Sequence, residues 1–310
     1  MLMFVTRRLI QMILIMITVS VILFTIFEFN KMSVAGQVLG PYTTTEQREI
    51  WLERQGFMEP PVGRYFEWVG NVFRGDFGQS IQLRVPVSEV LWDRLRMTGI
   101  LGFWLFAFLI PLSLLFGVLA GIKEGSFRDR AISTTAVATT SVPEFASATF
   151  LTAIFVFWLG WLPGTSGMHG GFDPLQLVLP ILVLLLYGGG YVIRMTRASM
   201  AEVMSSQYIR TAILKGMPYR RVIMRHALRN ALIAPFTVIM LQLNYLLSGV
   251  IVVEVFFAYR GFGSLLLDAA LFGDIFVIQA CTLIAVFIAV LSYFLSDIGY
   301  MLLNPRIRVS

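Results

Sequence analysis

Residues 97–122 read MTGILGFWLFAFLIPLSLLFGVLAGI. For 26 residues the chain offers no Asp, Glu, Lys or Arg. An α-helix rises about 1.5 Å per residue, so roughly 20 apolar residues cross the ~30 Å hydrocarbon core of a bilayer. A helix also closes its backbone hydrogen bonds within itself, which lipid demands of any spanning segment. The stretch is predicted to cross a membrane.

Four more runs carry the same signature: Leu9 to Phe27, Pro174 to Ile193, Ala231 to Val253 and Ile275 to Ser296. A sixth lies in Ala131 to Trp161, long enough to span but with Glu144 directly after Pro143. Proline there predicts a broken or kinked helix that begins at the membrane face. Composition agrees, with 57% hydrophobic and 14% charged residues and a mean hydropathy of +0.78. Water is not the main solvent of such a chain. The first run, 19 residues long, exceeds the roughly 7–15 of a signal-peptide core. It is expected to remain as a span, although Ser33-Val34-Ala35 resembles a cleavage site.

A formal net charge of +6 raises the question of a nucleic-acid partner, but the basic residues sit beside apolar runs. Six spans place both termini on one side, and short cytoplasmic segments hold an excess of Lys and Arg. With the termini inside, the cytoplasmic set is Arg7 and Arg8; Lys123, Arg128 and Arg130; eight residues from Arg194 to Arg229; and Arg306 and Arg308. That is fifteen of the 24. The expected organisation is residues 1–29 as N-terminus and first span, 30–96 as an outer loop domain, and 97–310 as a five-helix core. Turn signals at Gly40-Pro41 and Pro60-Pro61 suggest that the outer loop is a small folded cap.

The largest predicted cytoplasmic segment runs from Ser199 to Asn230, SMAEVMSSQYIRTAILKGMPYRRVIMRHALRN. Ser205 or Ser206 can cap a helix over Tyr208 to Lys215. Gly216 suits the left-handed position that ends it, and Pro218 the first turn of the next. The expectation is two helices joined by a sharp turn. Ala212 and Gly216, four apart, share a face on which small side chains would let another protein approach closely. Arg220, Arg221, Arg225 and Arg229 make the second helix basic, a pattern that also suits anionic lipid headgroups.

Tyr208-Ile-Arg-Thr-Ala-Ile-Leu-Lys-Gly216, followed by Arg225-His-Ala-Leu-Arg-Asn-Ala231 and Pro235, resembles the EAA loop of ABC importer permeases in its peptide-transporter form. Arg210-Thr211-Ala212 stands where the general pattern has Glu-Ala-Ala. Other similar stretches are Arg7 to Gln11, Arg74-Gly-Asp-Phe-Gly-Gln-Ser80, Ser141-Val-Pro-Glu-Phe145, Leu159 to Pro163, the set Gly249, Glu254, Phe257, Gly261 and Gly263, and the end from Asp297 to Arg308. A Pro-Gly-Asp after the first span is missing, and Asn304 replaces a closing aspartate. The chain is similar to the B-type permease of the peptide, dipeptide, oligopeptide and nickel transporter family.

That resemblance implies an all-α type I ABC importer permease fold with six transmembrane helices and a periplasmic loop domain after the first. It implies residence in a bacterial inner membrane and a coupling helix that docks on an ATPase subunit, carried here by Tyr208, Arg210, Thr211, Ala212, Lys215, Gly216, Arg220 and Arg221. Lipid contact and ATPase contact are equally open for Arg220 and Arg221. The implied partners are a homologous second permease, two ABC ATPase subunits that bind ATP and Mg, a periplasmic substrate-binding protein and membrane lipid. The chain itself is expected to hold no cofactor, metal or catalytic residue, and it lacks a GxxxxGK[ST] phosphate-binding loop.

Polar groups inside spans are costly in lipid and usually face protein or water, which marks Glu144, Gln242 and Asn244 as substrate-pathway residues. Gln242 and Asn244 lie about 200° apart on an ideal helix, so one of them is expected to form an interhelical hydrogen bond. Glu144 is open to a second placement at the cytoplasmic face, and Glu254 and Asp297, at span ends, to snorkelling or to pairing with arginine. A secondary transporter is the rival reading, weakened by few buried charges and no internal repeat. A membrane enzyme would need paired His and carboxylate groups, whereas His169 and His226 fall in opposite loops. Cys281 alone supports neither a disulfide nor a thiolate metal site. Within the family, nickel complexes, glutathione, opines and oligosaccharides are alternatives to peptides as cargo.

Overall fold

A computed structural model describes residues 2–54, 56–168, 170–248 and 250–303; His169, Gly249, Asn304, Arg306 and Arg308 lie outside the described residues. In chain order the helices are α1 (Leu2–Phe29), α2 (Lys31–Leu39), α3 (Thr45–Arg54), α4 (Pro61–Phe73), α5 (Val87–Gly121), α6 (Phe127–Ser141) and α7 (Glu144–Thr152). They continue as α8 (Pro174–Met204), α9 (Gln207–Leu214), α10 (Tyr219–Arg221), α11 (Leu228–Ala231), α12 (Ile233–Ser248), α13 (Ile251–Phe256), α14 (Phe262–Phe272) and α15 (Ile275–Leu303). Two π-helical turns extend α7 (Ala153–Trp158) and α10 (Val222–Ala227). Among the described residues the only β feature is an isolated antiparallel bridge between Gln79 and Pro86.

Among the described residues four helices are long and apolar enough to cross a bilayer alone: α1, α5, α8 and α15. Counted as one span each, two bent pairs bring the number to six, Phe127–Ser141 with Glu144–Trp158 and Tyr219–Ala231 with Ile233–Leu246. The expected break at Pro143 is sharper than a kink, turning the chain by 101°. Pro143 occupies the N-cap of α7, where its missing N–H costs nothing. The second span departs from its predicted start: α5 begins at Val87 rather than Met97. Its first ten residues carry Glu89, Asp93, Arg94 and Arg96, so a search for uncharged sequence stops short of helix that is continuous.

The contacts divide the chain into two compact units, Met1–Met97 with Gly261–Phe294, and Thr98–Arg260 with Leu295–Ser310. In the first, the apolar run of α1 is unburied apart from Leu23, as suits a helix surrounded by lipid. Residues 30–96 are folded, as α2 to α4, a turn and the first ten residues of α5. Arg64 on α4 donates to Glu28 at 2.7 Å and lies 4.4 Å over the Phe57 ring. Ala35 and Leu52 are fully buried where α2 meets α3. The Arg74-to-Ser80 turn is tied to the start of α15: the Ser80 hydroxyl donates to Asp274 at 2.5 Å, and the Gln82 and Val277 amides donate to the same carboxylate.

In the second unit α8 is the central helix, and half of its apolar window is buried. Asp173 caps it by accepting from the Leu175 amide at 3.0 Å, and Pro174 opens it. Small residues bring its neighbours close, as membrane helices require when lipid tails give no hydrophobic drive to associate. A Cβ on Gly117 of α5 would sit 2.4 Å from the Thr196 Cβ and 2.8 Å from the Ile193 carbonyl; one on Gly190 would sit 2.7 Å from the Ala136 carbonyl of α6. Glu254 does not snorkel. It is fully buried and accepts from the Thr98 hydroxyl at 2.6 Å. Burial pushes the neighbouring Tyr259 hydroxyl above its ordinary pKa, and the Glu254 carboxylate adds to the shift.

Candidate functional site

The 199–230 segment folds as a helical hairpin on the end of α8. The Ser206 position is the N-cap of α9, but its side chain makes no cap bond; the hydroxyl donates back to the Val203 carbonyl at 2.5 Å, and Ser205 likewise turns back to Glu202. One of the two serines is expected from sequence to cap by side chain, and the tight turn after α8 claims both hydroxyls instead. Gly216 adopts φ +73°, and its amide closes the turn on the Ile213 carbonyl at 2.9 Å. Pro218 sits at the N-cap of α10 rather than inside its first turn.

One face of this hairpin is its own core. Met200, Ile209, Ala212, Val222, Ala227 and Ala231 are buried together, with Val118 and Ile122 of the α5 end packed against them. Ala212 is only 8% exposed. The small face predicted to admit a partner is therefore turned inward at Ala212 and outward at Gly216, because Gly216 ends the helix and leaves its register. The outer face carries Tyr208, Arg210, Thr211, Lys215, Gly216, Arg220 and Arg221, all exposed. Beside them stand apolar groups that sequence inspection passed over: Leu214 at 79% exposure, Met224 at 60% and Tyr219. Arg220 and Arg221 form no ion pair among the described residues. An amide of Asn230 donates to the Tyr208 hydroxyl at 3.1 Å and links the two arms.

The polar groups within the spans separate. Gln242 donates to the Gly188 carbonyl of α8 at 3.3 Å, which makes it the interhelical hydrogen bond expected of one of the pair. Asn244 is half-buried on another face of α12. Glu144 is buried in the first turn of α7 and accepts the Tyr245 hydroxyl of α12. Tyr245 in turn packs on Tyr187 of α8 at 5.6 Å between ring centroids, and Tyr187 meets Tyr191 edge-on at 5.5 Å. No single-sequence signal joins these tyrosines to Glu144, since their partners are up to a hundred residues away. Nearer the hairpin, Arg197 of α8 forks onto Asp129 of α6 at 2.7 and 2.9 Å and reaches Glu124 at 3.2 Å. Gly125 and Ser133 also donate to Asp129, so this buried carboxylate is well compensated.

Comparison with known proteins places this geometry. The family described as "Binding-protein-dependent transport system inner membrane component" matches residues 113–309, and the family described as its N-terminal membrane component matches residues 1–101. The chain belongs to the binding-protein-dependent transport system inner membrane components. Relatives extend over nearly its whole length. A probable peptide ABC transporter permease of Sinorhizobium fredii is 33% identical over 309 residues, 98% of this chain and 99% of its own. The oligopeptide transport system permease AppB of Bacillus subtilis is 32% identical over 313 residues, with 98% and 99% coverage. The glutathione transport system permease GsiC of Shigella flexneri is 34% identical over 313 residues, with 99% of each chain covered.

This protein is thus a multi-pass permease subunit of an ABC importer of the peptide family. As a permease it has a different task from an enzyme. The match to residues 113–309 contains the hairpin, the Glu144 break and the α8 ion pair, and the match to residues 1–101 contains α1 to α4 and the Arg74-to-Ser80 turn.

Proposed function

We propose that this permease forms half of a translocation pathway for peptides in a bacterial inner membrane, with both termini cytoplasmic and residues 30–96 forming a periplasmic cap. A homologous second permease completes the pathway, two ATPase subunits bind ATP and Mg, and a periplasmic binding protein delivers the cargo. The hairpin of α9 and α10 is the part that engages an ATPase subunit. The observation that carries this reading is its two-sided construction. Six buried side chains fix the hairpin to α8 and α5, while a patch of exposed apolar and basic groups faces away from the chain. A hairpin fixed in this way can pass a displacement to the spans, as a loose loop cannot.

Tyr208, Arg210, Thr211, Lys215, Gly216, Arg220 and Arg221 act from the exposed face. Ala212 acts from below, by holding α9 to its own core. Leu214 and Tyr219 supply the apolar anchors typical of an interface centre. Among the predicted pathway groups, Glu144 and Asn244 are retained and Gln242 is assigned to helix packing. Peptides are the cargo this reading favours, and glutathione is the nearest alternative given the relatives.

The test is extraction of the tagged chain from its native membrane in mild detergent, with mass spectrometry of what comes with it and an assay of ATP hydrolysis. A second permease and ATPase subunits should co-purify with nucleotide turnover. Recovery of the chain alone, under conditions where a known ABC complex survives, would return the choice to a secondary transporter.

A further inference from the structure

Tyr187, Tyr191 and Arg194 lie at spacings of four and three along α8, so they occupy one face of the helix. Glu144 stands at one end of this stripe, joined to it through Tyr245. At the other end is a cavity of ≈ 830 Å³ whose walls include Asp129 and Arg130 of α6, Tyr191, Arg194 and Arg197 of α8, and Val238 of α12. The charges are not balanced locally. Asp129 and Arg197 neutralise each other, but Arg130 and Arg194 have no ion pair among the described residues. Glu144 has only a neutral phenol as its hydrogen-bond partner there. One end of the stripe therefore lacks a cation and the other lacks an anion.

We propose that this stripe is a binding track for a zwitterionic solute, with its ammonium at Glu144 and the tyrosine faces and its carboxylate at Arg130 and Arg194. The proposal rests on the reading that this chain lines a solute pathway. A carboxylate removed from water is costly unless it is paired, and a passing ammonium supplies the missing charge. Tyrosine faces attract the same cation through their ring quadrupoles. Tyr191 is 41% exposed, so its ring is open to a ligand. The lengths agree as well. Seven residues of helix from Tyr187 to Arg194 rise about 10 Å, and three residues of extended peptide span about 10 Å. The aromatic stretch of the track is thus about as long as an extended tripeptide, and its two ends call for a free amine and a free carboxylate.

The test uses the purified transporter complex in nanodiscs of phosphatidylcholine, with trialanine, N-acetyl-trialanine and trialanine amide as probes and saturation-transfer NMR as readout. Trialanine should bind at least tenfold more tightly than either blocked peptide. Glu144→Gln keeps an oxygen to accept the Tyr245 hydroxyl and removes only the charge; it should erase the preference for the free amine and spare that for the free carboxylate. Glu144→Asp should restore the amine preference, and Arg194→Gln, on an exposed side chain, should erase the carboxylate preference alone. Equal binding of the three probes, no binding, or an amine preference that survives Glu144→Gln would overturn the track. So would loss of the carboxylate preference on adding phosphatidylglycerol, since the arginines would then serve lipid phosphate. ATP hydrolysis by the same preparation is read separately. A complex that turns over ATP but binds no probe refutes the track, whereas a chain that purifies without an ATPase subunit refutes the importer reading on which it rests.

Discussion

Replacing Gly216 separates a conformational requirement from a contact requirement. The residue sits at φ +73°, and a Cβ built on it meets nothing within 4 Å. Any effect of a small side chain on the isolated hairpin must therefore come from the backbone. An L-residue in this region costs about 1–2 kcal/mol, which is roughly a five- to thirtyfold shift against the turn. Asparagine tolerates the conformation better than alanine, and a β-branched residue tolerates it worst. The expected order of activity is Gly, then Asn, then Ala, then Val. The assay is peptide uptake into proteoliposomes containing the assembled importer, alongside ATP hydrolysis stimulated by the binding protein. Gly216→Ala should lose roughly five- to thirtyfold in uptake, with membrane insertion unchanged. If Gly216 served instead to let a partner surface approach closely, the larger asparagine would be worse than alanine. That order, or full uptake by Gly216→Val, would refute the conformational argument.

Other substitutions test the frame around the hairpin. Asp129→Asn removes the buried partner of Arg197 and should cost about 2 kcal/mol, below the 3–5 kcal/mol typical of a broken buried pair because Arg197 keeps Glu124. Glu124→Gln, at the exposed end of the same cluster, should cost less than about 1 kcal/mol, and thermal unfolding in detergent that ranks the two the other way contradicts the assignment. Gly117→Leu drives a side chain into the Ile193 carbonyl and should lower the unfolding midpoint by an amount equivalent to about 1–3 kcal/mol or more; an unchanged midpoint would show that α5 and α8 are not in close contact. Cysteines placed at positions 216 and 76 should label from the inside and the outside respectively with an impermeant maleimide. The sole native thiol, Cys281, is buried and gives little background. The reverse pattern would invert the topology.

The spans were legible because lipid imposes a single rule, an uninterrupted apolar run of fixed length, that needs no partner residue to recognise. The same rule hid the first turns of α5, where Glu89, Asp93, Arg94 and Arg96 belong to a helix that has not yet entered the apolar run. Gly216 could be read from sequence because a helix stop depends on local backbone chemistry. Ala212 was misread for the complementary reason: whether a small residue on a helix faces a partner or its own core depends on Val222 and Met200, which only folding brings to it. Glu144 stood out as a charge in an apolar run, but its ties to Tyr245 and the tyrosines of α8 are long-range. The outer-turn motif was recognised, yet its anchor Asp274 lies nearly two hundred residues away.

The most direct test of the coupling claim is site-specific photo-crosslinking from Leu214, the most exposed apolar side chain of α9, in the native membrane. A photoreactive phenylalanine at position 214 should capture an ATPase subunit, with a yield that changes on adding nucleotide, while the same probe at Phe157, exposed to a similar degree outside the hairpin, should not. Capture of lipid alone at position 214, or equal capture of the ATPase subunit from both positions, would contradict the assignment of the hairpin as the coupling surface.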